Sequence, residues 1–133
     1  MGDVHPTARK LVEADQSVQS LYGYEVISAT GGVCELSLKV RPEWINGAGF
    51  THGSVAYALM DSACAYAGAS TDSLGVTTSG NITYVRGVKS GERLRTVATV
   101  KSQGRRVVSF VAEVFDSQER LIAHGAFVFQ VLS

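Results

Sequence analysis

The chain has 133 residues, of which 45% are hydrophobic and 18% are charged, and its formal net charge is zero. These values are typical of one globular domain, and they disfavour a protein that binds polyanions over its whole surface. No apolar run is long enough to span a membrane, and the first ten residues contain no apolar signal segment. We therefore predict a single domain over residues 1–133, located in the cytoplasm.

The first third of the chain is predicted to contain a helix and two strands. Residues 6–21 are predicted to form a short helix with Pro6 near its first turn. Residues 1–21 are therefore treated as an N-terminal helical segment of the domain. Residues 33–40 alternate between polar and apolar side chains, which is the period of a strand. The pair Gly31-Gly32 predicts a tight turn between this strand and the one before it. A glycine-rich loop follows.

A long apolar helix and four strands are predicted for the rest of the chain. The helix covers about residues 54–70 and is apolar on nearly all sides, so we expect most of its surface to be buried. The segments after it are separated by the short polar breaks VKSG, SQGR and DSQE, which suit hairpin turns. One long helix among about six antiparallel strands predicts an α+β fold, with the helix packed on a curved sheet.

Asp61 is the one acidic residue in the long helix. No cation stands three or four residues away on either side, so no ion pair within the helix offsets the cost of burying the carboxylate. Two interpretations are open at this point. Asp61 either points to water or pairs with an arginine from elsewhere, or it is a catalytic nucleophile or general base.

The residues at the start of the helix bear on this choice. His52 and Gly53 lie where free N–H groups can polarise a carbonyl oxygen, although His52 could equally be a simple helix cap. Gly53 and Asp61 are eight residues apart, about 12 Å along a helix at 1.5 Å per residue. One carbonyl carbon cannot contact both on one helix, so a shared site requires antiparallel helices from two chains.

The stretch INGAGFTHGSVAYALMDSACAYA resembles the signature of the hotdog-fold thioesterases of the phenylacetic-acid-degradation (PaaI-like) group. That signature runs Asn-Gly, His-Gly-Gly and then a helix with Asp followed by Thr or Ser and Ala. The resemblance continues through NITYVRGVKSGERL and the closing hairpins, and it covers about residues 15–131. It implies a hotdog fold, acyl-CoA thioesterase activity and a homodimer or dimer of dimers (a homotetramer) with sites at subunit interfaces.

The resemblance also implies roles for the matching residues. Asp61 would be the catalytic acid, acting on the thioester carbonyl directly or through water. The Gly53 N–H would hold the developing oxyanion. Asn46, which from the residues alone could equally be a turn residue, would position the water or the thioester, and His52 would support the site by hydrogen bonding.

Two positions depart from the signature. Ser54 stands where the second glycine of His-Gly-Gly is usual, and its side chain is expected to narrow the substrate entrance or to cap the helix. Gly87 replaces the usual proline after Arg86, which predicts a more mobile loop.

Basic residues are concentrated between positions 86 and 106, where seven of the chain's twelve lie. Arginine and lysine bind phosphates well, and coenzyme A ends in a phosphorylated nucleotide. The residues expected to bind it are Arg86, Lys89, Arg105 and Arg106. A solvated strand face is the alternative for each residue taken singly. A nucleic-acid partner is disfavoured, because the chain has no recognition motif and is neutral overall.

The predicted function is hydrolysis of an acyl- or aryl-CoA thioester to the free acid and CoA. The alternatives are a hotdog-fold hydratase or dehydratase, and a non-catalytic acyl-CoA-binding protein. Coenzyme A is part of the substrate, and no other cofactor, metal or membrane partner is expected, since the histidines and cysteines lack metal-ligand spacing. Cys34 and Cys64 are expected to be reduced structural thiols, and His124 to be a strand residue at the sheet surface.

Overall fold

The computed structural model describes residues 2–132, which form three α-helices and six strands. The helices are α1 (Pro6–Ala14), α2 (Gln16–Tyr22) and α3 (Gly53–Ala69). The strands are β1 (Glu25–Thr30), β2 (Val33–Lys39), β3 (Gly75–Tyr84), β4 (Arg93–Gln103), β5 (Val107–Phe115) and β6 (Leu121–Val131). A single 3-10 turn, Pro42–Trp44, lies in the loop before α3.

The six strands form one antiparallel sheet in the order β1-β2-β4-β5-β6-β3. This confirms the predicted α+β fold and the number of strands. Gly31 and Gly32 join β1 to β2 with φ angles of +62° and +84°, a backbone conformation that side chains other than glycine rarely adopt. The predicted turn is therefore confirmed. His124 is exposed on β6, as expected.

The N-terminal helical segment differs from the prediction, because it contains two helices instead of one. Helix α1 ends at Ala14, and the N–H of the cap residue Asp15 donates to the carbonyls of Leu11 and Val12 before α2 begins. The Asp15 carboxylate accepts a hydrogen bond of 2.9 Å from the hydroxyl of Tyr66 on α3. This contact ties the break between the two helices to the central helix, and nothing in the local sequence signals it.

Helix α3 is the centre of the hydrophobic core. It packs on β2, β4 and β5 with one side and contacts α1 with another, and its residues Leu59, Met60, Ala63 and Tyr66 are fully buried. Extensive burial of this helix is thus confirmed. Cys34 and Cys64 are both free and buried. Burial raises the pKa of each thiol, which makes both unreactive, as expected of structural thiols.

Strand β3 forms one edge of the sheet. Its ten residues are mostly exposed and include no charged side chain and no proline. Long exposed edge strands of this kind present free backbone groups to another chain, and proteins usually protect them with charge, proline or a covering element.

Within residues 2–132, no helix is both long enough and apolar enough to cross a membrane.

Candidate active site

Asp61 lies beside β3 on α3, and its side chain is half-buried. Its Oδ1 atom accepts a hydrogen bond of 2.6 Å from the hydroxyl of Thr77 on β3. Burial raises the pKa of the Asp61 carboxyl above its ordinary value, and the Thr77 hydrogen bond partly opposes this effect by favouring the ionised form. The side chain is therefore an oriented carboxylate of increased basicity, which suits a nucleophile or a general base.

The sequence alone does not identify Thr77, because a β-bulge places it beside Asp61. Gly80 faces α3, so a regular strand would turn Thr78 toward the helix and Thr77 away from it. The pairing of β3 with β6 shifts by one residue just after Thr77, and this brings Thr77 to the helix side. Such a bulge depends on how two strands pair, so the sequence of β3 alone contains no signal for it.

The start of α3 is capped by His52. Its Nδ1 atom accepts a hydrogen bond of 3.0 Å from the Ser54 N–H and lies 2.8 Å from the Ser54 hydroxyl. The predicted supporting role of His52 fits this geometry. Of the two roles expected for Ser54, capping the helix is wrong, because His52 is the cap residue and Ser54 is the second residue of the helix. The narrowing of the substrate entrance by its side chain stays a prediction.

Gly53 offers a free N–H at the first turn of α3. No backbone or side-chain acceptor among residues 2–132 is bonded to this N–H, and the helix N-terminus adds a partial positive charge. The hydroxyl of Tyr84 on β3 donates a 2.7 Å hydrogen bond to the Gly53 carbonyl. A Cβ at Gly53 would lie only 3.2 Å from the Tyr84 ring, so this close approach favours glycine.

Asn46 holds the loop that precedes α3. Its side-chain Oδ1 accepts hydrogen bonds from the N–H groups of Ala48 at 2.9 Å and Phe50 at 3.1 Å. Because both partners are donors, the oxygen is fixed in this position and the side-chain amide nitrogen points elsewhere. Asn46 can therefore offer two N–H donors to a ligand, while its oxygen acts as a turn former.

Two loops are joined next to the start of α3. The N–H and the hydroxyl of Thr51 both donate to the Val88 carbonyl, at 2.7 and 2.8 Å. The Phe50 ring covers Gly87, where a Cβ would lie 2.6 Å from a ring carbon, so the departure from proline has a packing reason. A cavity of about 320 Å³ opens here, and its lining includes Gly53, Ala56, Tyr84, Arg86, Val88 and Leu94.

The four predicted phosphate-binding residues do not form one cluster within a single chain. Arg86 and Lys89 follow the Tyr84 end of β3. Arg105 and Arg106 lie in the turn between β4 and β5, and the Arg106 carbonyl accepts from Val131, which pairs with Gly75 at the other end of β3. The two pairs therefore lie at opposite ends of the sheet. Arg95, which lies between the two pairs in the sequence, is engaged by Glu35 and Glu119.

The Gly53 N–H and the Asp61 carboxylate, the two halves of the candidate site, are also separated along the chain's own helix and sheet. Helix α3 runs along β3 in the antiparallel direction, with Gly53 against Tyr84 at one end and Asp61 against Thr77 at the other. The eight residues from Gly53 to Asp61 span about 12 Å of helix. A single chain thus holds a free N–H and an oriented carboxylate on the same helix face, too far apart for one reacting carbon.

Comparison with known proteins identifies the family. The model of the thioesterase superfamily matches residues 48–123, more than half of the chain. The chain belongs to the thioesterase superfamily. The matched residues 48–123 contain α3, β3 and the loops on either side of them. They therefore include both Gly53 and Asp61.

Individual relatives agree with the superfamily match. The acyl-coenzyme A thioesterase PaaI of Escherichia coli is 28% identical over 116 residues, covering 87% of this chain and 82% of that protein. Its solved structure superposes with a TM-score of 0.90 at 24% identity, over 96% of this chain and 91% of that one. A hypothetical thioesterase of Streptococcus pneumoniae, solved with coenzyme A, gives a TM-score of 0.86 at 21% identity, over 92% and 97%. These likenesses confirm the PaaI-like hotdog fold.

Proposed function

We propose that the protein hydrolyses an acyl-CoA thioester at a site that two copies of the chain share. The observation that carries this proposal is the placement of a free Gly53 N–H and the Thr77-bonded Asp61 carboxylate on one face of α3, two turns apart. Membership in the thioesterase superfamily supports the reaction. The E. coli relative described as an acyl-coenzyme A thioesterase and the S. pneumoniae structure with coenzyme A support the substrate class.

The second copy is expected to bind along β3. An uncharged, exposed edge strand of ten residues favours antiparallel pairing with another β3. The stripe of α3 beside it is only partly buried and has mostly small side chains, so a second helix can approach closely. The small residues are Ser54, which is exposed, and Ala58, Ser62 and Ala65, which are partly exposed. A two-fold axis between the strands places Gly53 of one chain near the partner's Asp61, and forms two equal sites.

The proposed chemistry follows from the positions of these groups. The Gly53 N–H stabilises the oxyanion that forms on the thioester carbonyl. The partner's Asp61 either accepts a proton from water, whose oxygen attacks the carbonyl carbon, or attacks that carbon itself to give an anhydride that water then hydrolyses. In both cases the carbon–sulfur bond breaks, CoA leaves as the thiol, and the free acid remains. Asn46 contributes N–H donors toward the carbonyl or the water.

The same dimer brings the separated cations together. Antiparallel pairing through β3 moves the partner's Arg105 and Arg106 to the end of the sheet where Arg86 and Lys89 lie. Four cations from two chains then surround the outer end of each site, and they suit the phosphates of CoA. No metal or further cofactor enters this proposal, and assembly as a dimer of dimers and location in the cytoplasm remain predictions.

The proposal is tested by measuring thiol release from a panel of acyl-CoA thioesters with the wild type, Asp61→Asn and Gly53→Val. We expect the wild type to be active and each variant to be nearly inactive. Mixing the two variants as dissociated and reassociated chains should restore part of the activity, because one site of each mixed dimer combines an intact Asp61 with an intact Gly53. An enoyl-CoA hydration assay serves as the control for hydratase activity.

The outcomes separate the parts of the proposal. A wild type that binds the thioesters without releasing thiol would make the protein a binding module and refute hydrolysis. Mixed dimers that are shown to form and yet stay inactive would refute the shared site while leaving hydrolysis intact.

A further inference from the structure

Tyr57 occupies the middle of the helix face that carries the candidate site. It is four residues after Gly53 and four residues before Asp61, and it is exposed. Its ring packs edge-on against Phe127 with a centroid distance of 5.3 Å. Its hydroxyl lies over Gly80 of β3, where any Cβ would overlap the phenol. Gly80 thus provides the space in which this tyrosine lies flat between helix and strand.

Three residue pairs join α3 to β3 along the edge of the sheet. Gly53 meets Tyr84 at one end, Asp61 meets Thr77 at the other, and Tyr57 meets Gly80 between them. If Gly53 of each chain faces the partner's Asp61, the symmetry of the pairing is centred on the residue midway between them. That residue is Tyr57 on the helix, and Gly80 lies below it on the strand.

We propose that Tyr57 lies at the two-fold axis of the dimer, where the phenols of both copies meet and form the wall between the two active sites. This inference rests on the proposed two-chain site. It makes Tyr57 a specificity-determining residue, because the wall limits how far an acyl group can extend from one site toward the other. The distance from Gly53 to Tyr57 along the helix is about 6 Å at 1.5 Å per residue.

The direction of the acyl group follows from the two substituents of the thioester carbon. The sulfur and the acyl chain leave this carbon on roughly opposite sides. Arg86 and the cavity beside it lie on the side of Gly53 away from the axis, so the phosphate-bearing CoA portion extends to that side. The acyl group therefore extends toward Tyr57, and the site takes compact acyl groups, such as a single ring or a short branched chain.

The experiment compares kcat/KM over a series of straight-chain acyl-CoA thioesters of increasing length. For the wild type, kcat/KM should fall sharply beyond a short chain. In Tyr57→Ala this limit should move to longer chains, with kcat/KM for the longest substrate increasing at least tenfold relative to the shortest. The matched variant Tyr57→Phe keeps the ring and should keep the wild-type limit.

Cross-linking provides a second measurement of the same arrangement. Tyr57→Cys should give a covalent dimer with a short bifunctional thiol reagent, because the two positions face each other across the axis. Ala65→Cys, two turns further along the same stripe, should not, and the wild type with its buried Cys34 and Cys64 controls for the native thiols. Both variants are compared at a concentration where sedimentation shows dimers.

The results distinguish this inference from the proposed function. If the wild type hydrolyses acyl-CoA but Tyr57→Ala has the same length limit, the wall is refuted and the hydrolase remains. If dimers of Tyr57→Cys do not cross-link while Ala65→Cys does, the axis lies elsewhere. A wild type that hydrolyses no acyl-CoA thioester refutes both proposals.

Discussion

The Thr77 hydroxyl is expected to control the pH at which Asp61 becomes active. Thr77→Val keeps the size and the β-branched shape of the side chain and removes only the 2.6 Å hydrogen bond to the carboxylate. A hydrogen bond to a charged acceptor contributes about 1.5 to 3 kcal/mol, which is about 10- to 150-fold in an equilibrium constant. Because Asp61 is half-exposed, water replaces part of the lost bond, and we expect the lower end of this range.

The assay is kcat/KM for acyl-CoA hydrolysis as a function of pH. The hydrogen bond lowers the pKa of Asp61 against the larger, opposite effect of burial, so its loss raises this pKa and moves the acidic limb of the profile to higher pH. On that limb kcat/KM should fall about tenfold, while the plateau at higher pH changes much less.

Thr78→Val is the matched control for this experiment. Its hydroxyl donates to the Val128 carbonyl on β6 and has no contact with the carboxylate, so the acidic limb should stay in place. An unchanged limb in Thr77→Val, or an equal displacement in both variants, would show that the hydrogen bond does not tune Asp61.

Two further predictions follow from the same contacts. Asp61→Asn should lower turnover by about two to four orders of magnitude and keep or increase the melting temperature at neutral pH. The reason is that the raised pKa of Asp61 makes its ionised carboxyl destabilise the folded state. This destabilisation is absent below the unfolded pKa of about 3.9 and is fully present above the folded pKa. The melting temperatures of wild type and variant should therefore converge in acid, and a variant clearly less stable at neutral pH would contradict this. Replacing Arg105 and Arg106 by alanine should raise KM for acyl-CoA more than for the matching pantetheine thioester, and equal effects on both substrates would exclude phosphate binding.

The fold could be predicted from the sequence wherever local patterns decide it. Strand β2 has a clear two-residue period, Gly31-Gly32 specifies its turn, and the apolar composition of α3 predicts burial on most sides. The sequence pattern predicts one N-terminal helix, whereas the structure has a break at Asp15, whose carboxylate accepts a hydrogen bond from the Tyr66 hydroxyl 51 residues away. Local propensity contains no information about such a contact.

In the candidate site as well, the sequence predicts the residues that local patterns specify and not those that depend on strand pairing. Asp61 and Gly53 could be proposed from chemistry and helical spacing, and the structure places them two turns apart on one face of α3. Their separation of eight residues means that a site shared by both residues would need two chains. Thr77 could not be identified, because the bulge that turns it toward Asp61 arises from the pairing of β3 with β6. The proposed phosphate-binding residues looked like one cluster in sequence, but the hairpin between β4 and β5 carries Arg105 and Arg106 to the opposite end of the sheet from Arg86.

The position of Asp61 reconciles a carboxylate with an apolar helix. In the core, an ionised carboxylate without a partner would cost several kcal/mol. At the edge of α3 next to β3, it keeps partial access to water and has a hydroxyl donor, so the cost is limited while its pKa still increases. A second α3 lying along the small side chains of this stripe would remove more water from the carboxylate. Assembly would then raise the basicity of Asp61 further at the moment when it brings the partner's Gly53 N–H within reach of the same carbonyl. In the proposed two-chain site, the groups that one chain cannot bring together are thus the ones that association would activate.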